Sequence, residues 1–208
     1  MVTKKIAVFA SGGGTDFQSV IDANASENFC QIKYLVASKS GIGAIDRAKR
    51  AGIEPIVYDK NKYPDKADFY RALTEKFYRE GIDLIVLAGW LLIIPAEFIE
   101  AFEDKIINIH PSLIPSFCGK GFYGLKVHEA AINYGVKVSG ATVHFVSAEV
   151  DGGAIIMQRS VTVDAYDTPE SLQAKILKVE HEMLPLCVKF LCEGKVQKEG
   201  RKVVLLTD

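Results

Sequence analysis

Asn108 and His110 stand two residues apart at the end of a short apolar stretch, residues 105–109. The β-branched residues of this stretch predict a strand. Side chains two positions apart on a strand point to the same face, so the carboxamide and the imidazole should project together. Pro111 cannot donate to a sheet ladder, so we expect the strand to end at these polar groups. They are either a binding or catalytic pair or two solvated residues at a strand terminus.

Asp151 lies in a second short motif, Val-Asp-Gly-Gly at residues 150–153. Two glycines after an aspartate often mark only a turn. Combined with Asn108 and His110, however, the carboxylate completes a plausible set for acyl transfer. The amide can donate to a developing oxyanion, the imidazolium can supply charge or a proton, and the carboxylate can keep the imidazole protonated. We therefore expect Asp151 within hydrogen-bonding reach of His110, directly or through one water.

A run of three glycines, SGGGTDF, follows the first predicted strand and opens a helix. Glycines let a ligand approach the backbone, and the free N–H groups of a helix start attract anions. We expect an anion to lie against the N–H groups of residues 14–16. The dinucleotide fingerprint does not fit, because Phe17 stands where it needs its third glycine. The alternative is a tight strand–helix turn without a ligand.

Other motifs point less clearly to chemistry. Residues 119–124 match the spacing Gly-x-Gly-x-x-Gly, but they follow a proline-containing loop instead of a strand, so a mobile loop is the better prediction. No Gly-x-Ser-x-Gly elbow is present, and the histidines lack the spacing of a metal site. His144, in a strand pattern, and His181, on a helix, are predicted to be packed or solvated. We expect no metal.

The composition is that of an ordinary globular protein. The 208 residues are 49% hydrophobic and carry a formal net charge of -1, so there is no global basic field to hold nucleic acid or an anionic membrane. No apolar segment is long enough to span a membrane, and no signal peptide is recognisable. The four cysteines form no Cys-x-x-Cys pair and are predicted to be reduced. We expect a cytoplasmic protein with no nucleic-acid or membrane partner.

The order of predicted elements indicates an α/β fold with a doubly wound, mostly parallel sheet. Short apolar strands alternate with helical patterns up to Pro111. After it we predict two antiparallel strands joined through Asp-Gly-Gly, then a long C-terminal helix with Thr168 as N-cap and Pro169 at its first position. Pro185 should kink or divide that helix. The tail is predicted to form a small hairpin. One domain over 1–208 is expected, with halves 1–104 and 105–208.

Five segments carry a family resemblance that covers nearly the whole chain. They are SGGGTDFQ, DLIVLAGW, INIHPSLIPSF, GATVHFV and EVDGGAIIMQ. In order and spacing they resemble the phosphoribosylglycinamide formyltransferases, a folate-dependent family of purine synthesis. The resemblance implies formyl transfer from 10-formyltetrahydrofolate to the amine of 5-phosphoribosylglycinamide. It implies small-molecule substrates, no metal, and a monomer or weak homodimer. It also implies that Asn108, His110 and Asp151 are the catalytic set.

The resemblance further assigns binding residues. Residues 1–104 would be the phosphate-binding half, and residues 105–208 the catalytic and folate-binding half. The loop at residues 146–151 would line the pteridine pocket. The ribotide would be bound by Gly12, Gly13, Gly14, Thr15, Asp16 and Glu180. The folate would be bound by Lys66, Leu91, Leu92, Ile93, Ile94 and Asn108.

Three positions depart from the family pattern. Asp16 stands where many relatives have Asn, and a carboxylate beside a phosphate is unfavourable. We expect Asp16 to stabilise the helix start instead, leaving the phosphate to backbone N–H groups. Lys66 replaces an Arg of some relatives and offers a point charge in place of a planar fork. Leu92 replaces an Arg of some relatives, so only its backbone and packing can contribute.

Three other functions are weighed against this one. A deformylase would hydrolyse 10-formyltetrahydrofolate, but in that family it carries an N-terminal regulatory domain, which a chain whose first strand begins near Lys4 is not expected to have. A methionyl-tRNA formyltransferase carries a C-terminal tRNA-binding domain, which a chain ending at Asp208 is not expected to have. A non-catalytic phosphate- or nucleotide-binding module would keep SGGGTDF. It gives no reason to place Asn108, His110 and Asp151 in one cleft.

Overall fold

The computed structural model describes residues 3–206. The chain divides into two compact units, Met1–Ile107 and Asn108–Asp208. The division falls within one strand, β5, Ile106–His110.

The first unit alternates strands and helices. Its strands are β1 (Lys5–Ala10), β2 (Gln31–Ala37), β3 (Glu54–Val57) and β4 (Leu84–Leu87). Its helices are α1 (Thr15–Glu27), α2 (Gly43–Arg50), α3 (Lys66–Glu80) and α4 (Ala96–Ala101). The strand order is β3-β2-β1-β4 with all three pairings parallel, and β5 begins beside β4. β1 and β4 are buried almost throughout, which explains their near-continuous apolar sequences.

Aromatic side chains fill one layer of this unit. Phe9 on β1 makes edge or tilted ring contacts with Phe77, Trp90 and Phe98, at centroid distances from 5.0 to 6.2 Å. Such geometries are the favoured ones for aromatic pairs and hold helices against a sheet. The glycine run therefore follows a strand that is firmly packed against the neighbouring aromatic side chains.

The second unit begins with the end of β5 and continues with α5 (Leu125–Tyr134), β6 (Val138–Phe145) and β7 (Ile155–Thr162). The strand order is β5-β6-β7, and β6 and β7 pair antiparallel. Their register shifts between Val143 and His144, because His144 pairs with Ile155 after Val143 has paired with Met157. A bulge of this kind bends a strand and redirects a side chain. Here it lies beside the candidate site.

The C-terminal elements are α6 (Pro169–Cys192), β8 (Val196–Glu199) and β9 (Lys202–Leu205). Thr168 caps α6 in a capping box with Ser171, and Pro169 is the first helical residue, as predicted. α6 is not divided at Pro185, which lies inside one helix of 24 residues. β8 and β9 form the predicted antiparallel hairpin. These elements confirm the predicted α/β class, a mostly parallel sheet with antiparallel strands and a long helix towards the C-terminus.

Candidate active site

His110 is held from both ring nitrogens at the end of β5. It is only 4% exposed. Nε2 lies 2.9 Å from the carbonyl oxygen of Phe117, and since a carbonyl can only accept, Nε2 carries the hydrogen. Nδ1 lies 3.7 Å from Oδ2 of Asp151. A proton on Nδ1 makes that approach attractive, so the charged imidazolium suits both neighbours.

Asp151 lies close to His110, at a distance too long for a direct hydrogen bond, whereas the sequence predicts a contact made directly or through one water. The 3.7 Å separation is an ion-pair distance. Oδ2 instead accepts a hydrogen bond of 2.8 Å from the backbone N–H of Gly119. The carboxylate is therefore fixed by the loop between β5 and α5, and it acts on His110 through charge.

The Val-Asp-Gly-Gly turn has a conformational reason for each of its last three residues. Asp151 has φ 56°, in the left-handed region that Asp tolerates better than most residues. A Cβ on Gly153 would lie 1.7 Å from the carbonyl oxygen of Phe145, so only glycine fits. A Cβ on Gly152 would overlap the side chain of Glu149. The turn therefore requires the two glycines, whereas the side chain of Asp151 is available for chemistry.

His144 belongs to the same group of side chains, although the sequence interpretation treated it as a packed or solvated residue. Nδ1 lies 2.8 Å from the carbonyl oxygen of Phe145 and must donate to it. Nε2 is then an acceptor, and it lies 3.1 Å from Nδ2 of Asn108. His144 therefore fixes the orientation of the Asn108 amide. The sequence signal that could have found it is its place in GATVHFV, one of the segments that carry the family resemblance.

Burial keeps His144 neutral. The side chain is 2% exposed, and burial lowers its pKa below the ordinary value, even though the Phe145 carbonyl and Asp151, 3.7 Å away, favour the proton. Burial therefore outweighs the carboxylate. A neutral Nε2 can accept from Asn108, whereas a protonated one could not.

A third histidine, His128 on α5, is also neutral. Burial and the nearby His110 lower its pKa to about 4. Among the described residues, no group lies within hydrogen-bonding distance of its Nδ1. Burial thus lowers the pKa of both His144 and His128, the two histidines near His110, and Asp151 is the carboxylate that faces His110.

The glycine run of the first unit forms the predicted strand–helix turn. Gly14 is the N-cap of α1, with φ 73°, and α1 begins at Thr15. A Cβ on Gly14 would lie 2.7 Å from Cβ of Ala44, so this glycine is required for α2 to pack closely. A Cβ on Gly12 or Gly13 would meet nothing within 4 Å, and both are exposed. These two leave open backbone at a helix start, as an anion site requires.

Neighbouring residues brace this turn within the first unit. Arg47 on α2 donates through Nε to the carbonyl oxygen of Gly13 at 2.8 Å. Ala44 donates its N–H to the carbonyl oxygen of Gly12 at 3.2 Å. Asp16 lies in the first turn of α1, where a carboxylate stabilises the helix dipole.

The residues predicted to bind folate in the first unit are accessible. Leu91 and Ile93 are 59% and 78% exposed, and Lys66, the first residue of α3, is exposed as well. The backbone N–H of Leu91 donates to Oγ of Ser11, which anchors the segment next to the glycine run. Glu180, predicted to bind the ribotide, is buried on α6 in the second unit.

Residues 119–124 form a loop that leads into α5, as the sequence predicts. The sequence does not predict the role of Gly119, whose backbone N–H donates a hydrogen bond to Asp151. Among residues 3–206, no helix is long and apolar enough to cross a membrane, and no group of three or more His, Cys, Asp or Glu side chains could hold a metal ion.

The fold is that of a formyltransferase. The chain belongs to the formyl transferase family, whose model matches residues 4–188. It is 42% identical over 200 residues to the chloroplastic phosphoribosylglycinamide formyltransferase of Vigna unguiculata, covering 95% of this chain and 64% of the relative. It is 38% identical over 189 residues to the phosphoribosylglycinamide formyltransferase of Bacillus subtilis, covering 90% of this chain and 94% of the relative.

A solved structure gives the same result. Glycinamide ribonucleotide transformylase 1 from Symbiobacterium toebii superposes with a TM-score of 0.90 at 37% identity, covering 99% of this chain and 95% of that one. The chain spans less than two thirds of the length of the Vigna relative and most of the length of the two bacterial proteins.

Proposed function

We propose that this protein transfers the formyl group of 10-formyltetrahydrofolate to the amine of 5-phosphoribosylglycinamide, a reaction of de novo purine biosynthesis. The observation that carries the proposal is the grouping of Asn108, His110 and Asp151 within the second unit. The names of the relatives support the choice of acceptor.

Asn108 and His110 are proposed to stabilise the charge that develops as the acceptor amine attacks the formyl carbon. Asn108 can donate through the amide N–H that its bond with His144 leaves over. His110 contributes positive charge in a place almost closed to solvent, where electrostatic stabilisation is strong. Both groups are held before the reaction begins, so little reorganisation is required.

Asp151 is proposed to have two tasks. It holds His110 in its charged form, and it takes a proton from the attacking amine, directly or through a water. The tetrahedral intermediate then collapses, and the bond between the formyl carbon and N10 of the folate breaks. The proton passes to N10, so the charges balance at the end of the reaction.

The two substrates are proposed to bind as the family resemblance implies. The phosphate of the ribotide binds the open backbone of Gly12 and Gly13 and the start of α1 at residues 14–16. Glu180 binds the ribotide, and Leu91, Leu92, Ile93, Ile94, Lys66 and Asn108 bind the folate. The exposure of Leu91 and Ile93 supports an apolar ligand there.

A competition between acceptors tests the proposal. The protein is supplied with 10-formyltetrahydrofolate and 5-phosphoribosylglycinamide, or with the formyl donor in water alone. We expect one formylated ribotide for each formyl group lost, and negligible loss in water alone, measured by mass spectrometry and absorbance. Loss of formyl groups at the same rate in both reactions would identify a deformylase, and no reaction in either would support the non-catalytic module.

Three points stay predictions from the sequence. They are the division of roles between residues 1–104 and 105–208, the monomeric or weakly dimeric state, and the cytoplasmic location.

A further inference from the structure

The loop between β5 and α5 holds both members of the charged pair through its backbone. The carbonyl oxygen of Phe117 accepts from His110, and the N–H of Gly119 donates to Asp151. Residues 117–119 thus bridge the imidazole and the carboxylate. Whatever fixes this loop also fixes the distance between the two charges.

Thr142, on β6, is the main anchor of the first part of that loop. The residue is fully buried. Its hydroxyl donates to the carbonyl oxygen of Ser112 at 2.7 Å and accepts from the N–H of Ile114 at 3.1 Å. It also accepts from Nε2 of Gln158 at 2.9 Å. The one donor and both acceptor sites of the hydroxyl are therefore in use.

Two further contacts carry this order along the loop. Gln158, which pairs with Thr142 across β6 and β7, donates a second hydrogen bond of 2.9 Å to the carbonyl oxygen of Ile114. The hydroxyl of Ser112 donates to the carbonyl oxygen of Ser116 at 2.6 Å. Ser116 immediately precedes Phe117, so these hydrogen bonds fix the chain from the sheet to the residue next to the acceptor of His110.

We propose that Thr142 is a positioning residue for the catalytic pair, and that Gln158 supports it. Thr142 acts through residues 112–119 on His110 and Asp151, without touching the substrates. The inference rests on the proposed function, because it concerns the rate of formyl transfer. It explains why a strand beside the site carries a fully buried hydroxyl whose partners all belong to the loop or to Gln158.

Three variants separate positioning from a simple loss of stability. Thr142→Val keeps the shape but removes the hydroxyl, and Thr142→Ser keeps the hydroxyl. Val143→Ala is the control for stability. It truncates a buried side chain on the same strand and leaves a cavity, but Val143 points to the opposite face of the sheet from Thr142. We expect Thr142→Val to lower kcat about 10- to 100-fold, the effect of a misplaced reacting group. Thr142→Ser should keep kcat close to the wild-type value. Val143→Ala should leave kcat unchanged when the assay temperature is below the Tm of that variant.

Amide hydrogen exchange provides a readout independent of activity. Residues 112–119 should exchange faster in Thr142→Val than in wild type, but not in Val143→Ala. If Thr142→Val does not fold, Gln158→Met serves instead, since Gln158 is exposed, and it should also lower kcat, by a smaller factor. KM for the ribotide should change little in every variant.

Two results would overturn the inference. One is a normal kcat in folded Thr142→Val or, if that variant does not fold, in Gln158→Met. The other is equal losses of kcat in Thr142→Val and Val143→Ala at matched stability. Failure of the proposed function can be distinguished from both results, because the wild-type protein itself would then form no formylated ribotide.

Discussion

At the scale of single residues, the three histidines differ in the groups that their ring nitrogens face and in the effect of burial on their pKa. His110 faces a carbonyl and a carboxylate and suits the charged form, whereas His144 must donate to one group and accept from another. Burial lowers the pKa of both His144 and His128. Histidine is thus the proposed source of charge at position 110 and a hydrogen-bond acceptor at position 144.

Replacing His144 tests its action on Asn108. His144→Phe keeps a ring but removes the acceptor, so the Asn108 amide loses its fixed orientation. We expect kcat to fall about 10- to 100-fold, as for a misplaced catalytic group, with KM for the ribotide nearly unchanged. Steady-state kinetics of His144→Phe, Asn108→Ala and the double variant measure this. Because one residue acts through the other, the double variant should be no slower than Asn108→Ala. Losses that multiply would contradict the assignment.

At the scale of elements, the glycine run shows two uses of glycine in one turn. Gly14 permits α2 to approach, and Gly12 leaves space open. Gly14→Ala combines a left-handed φ with an overlap against Ala44, so it should lower Tm by several degrees. Gly12→Ala should keep the wild-type Tm and raise KM for the ribotide, if the space belongs to the phosphate. Calorimetry and kinetics on the pair check this, and a Gly12→Ala protein with unchanged KM would remove the phosphate from that position.

α5 is expected to make stability depend on pH through His128. Its pKa is about 4 in the folded protein, against an ordinary value of 6.5. Between these values the unfolded chain binds more protons than the folded one, so stability should fall as pH falls from 6.5 towards 4. Urea unfolding at several pH values measures the slope. His128→Gln should flatten the slope without abolishing it, since His144 contributes in the same direction. An unchanged slope would argue against a buried, neutral His128.

The elements also show which features the sequence could predict. Periodicity and caps located β1, α1, the start of α6 and the C-terminal hairpin, because each depends on neighbouring residues. The bulge beside His144 could not be predicted, since it depends on the register with β7. The bond between Asp151 and Gly119 likewise joins residues 32 positions apart. Motifs were enough to predict Asn108, His110 and Asp151 as site residues, whereas the groups that hold them depend on contacts between distant parts of the chain.

At the scale of the whole molecule, the two units carry different parts of the proposed reaction. The first unit holds the glycine run and the exposed segment at residues 91–94, and the second holds Asn108, His110 and Asp151. Changes in the first unit should therefore act mainly on KM, and changes around His110 mainly on kcat. With a net charge of -1, the chain has no global positive field, so anionic substrates depend on local sites.

The kcat of Asp151→Asn tests the central claim most directly. The variant keeps the shape of the side chain and removes the negative charge that faces His110 at 3.7 Å. Without that charge, the proposed electrostatic partner of His110 and the proposed proton acceptor for the amine are both lost. We predict a fall in kcat of about 100- to 1000-fold, typical of losing one preorganised electrostatic group, with little change in KM for either substrate. A near-normal kcat for formyl transfer to 5-phosphoribosylglycinamide would contradict the account.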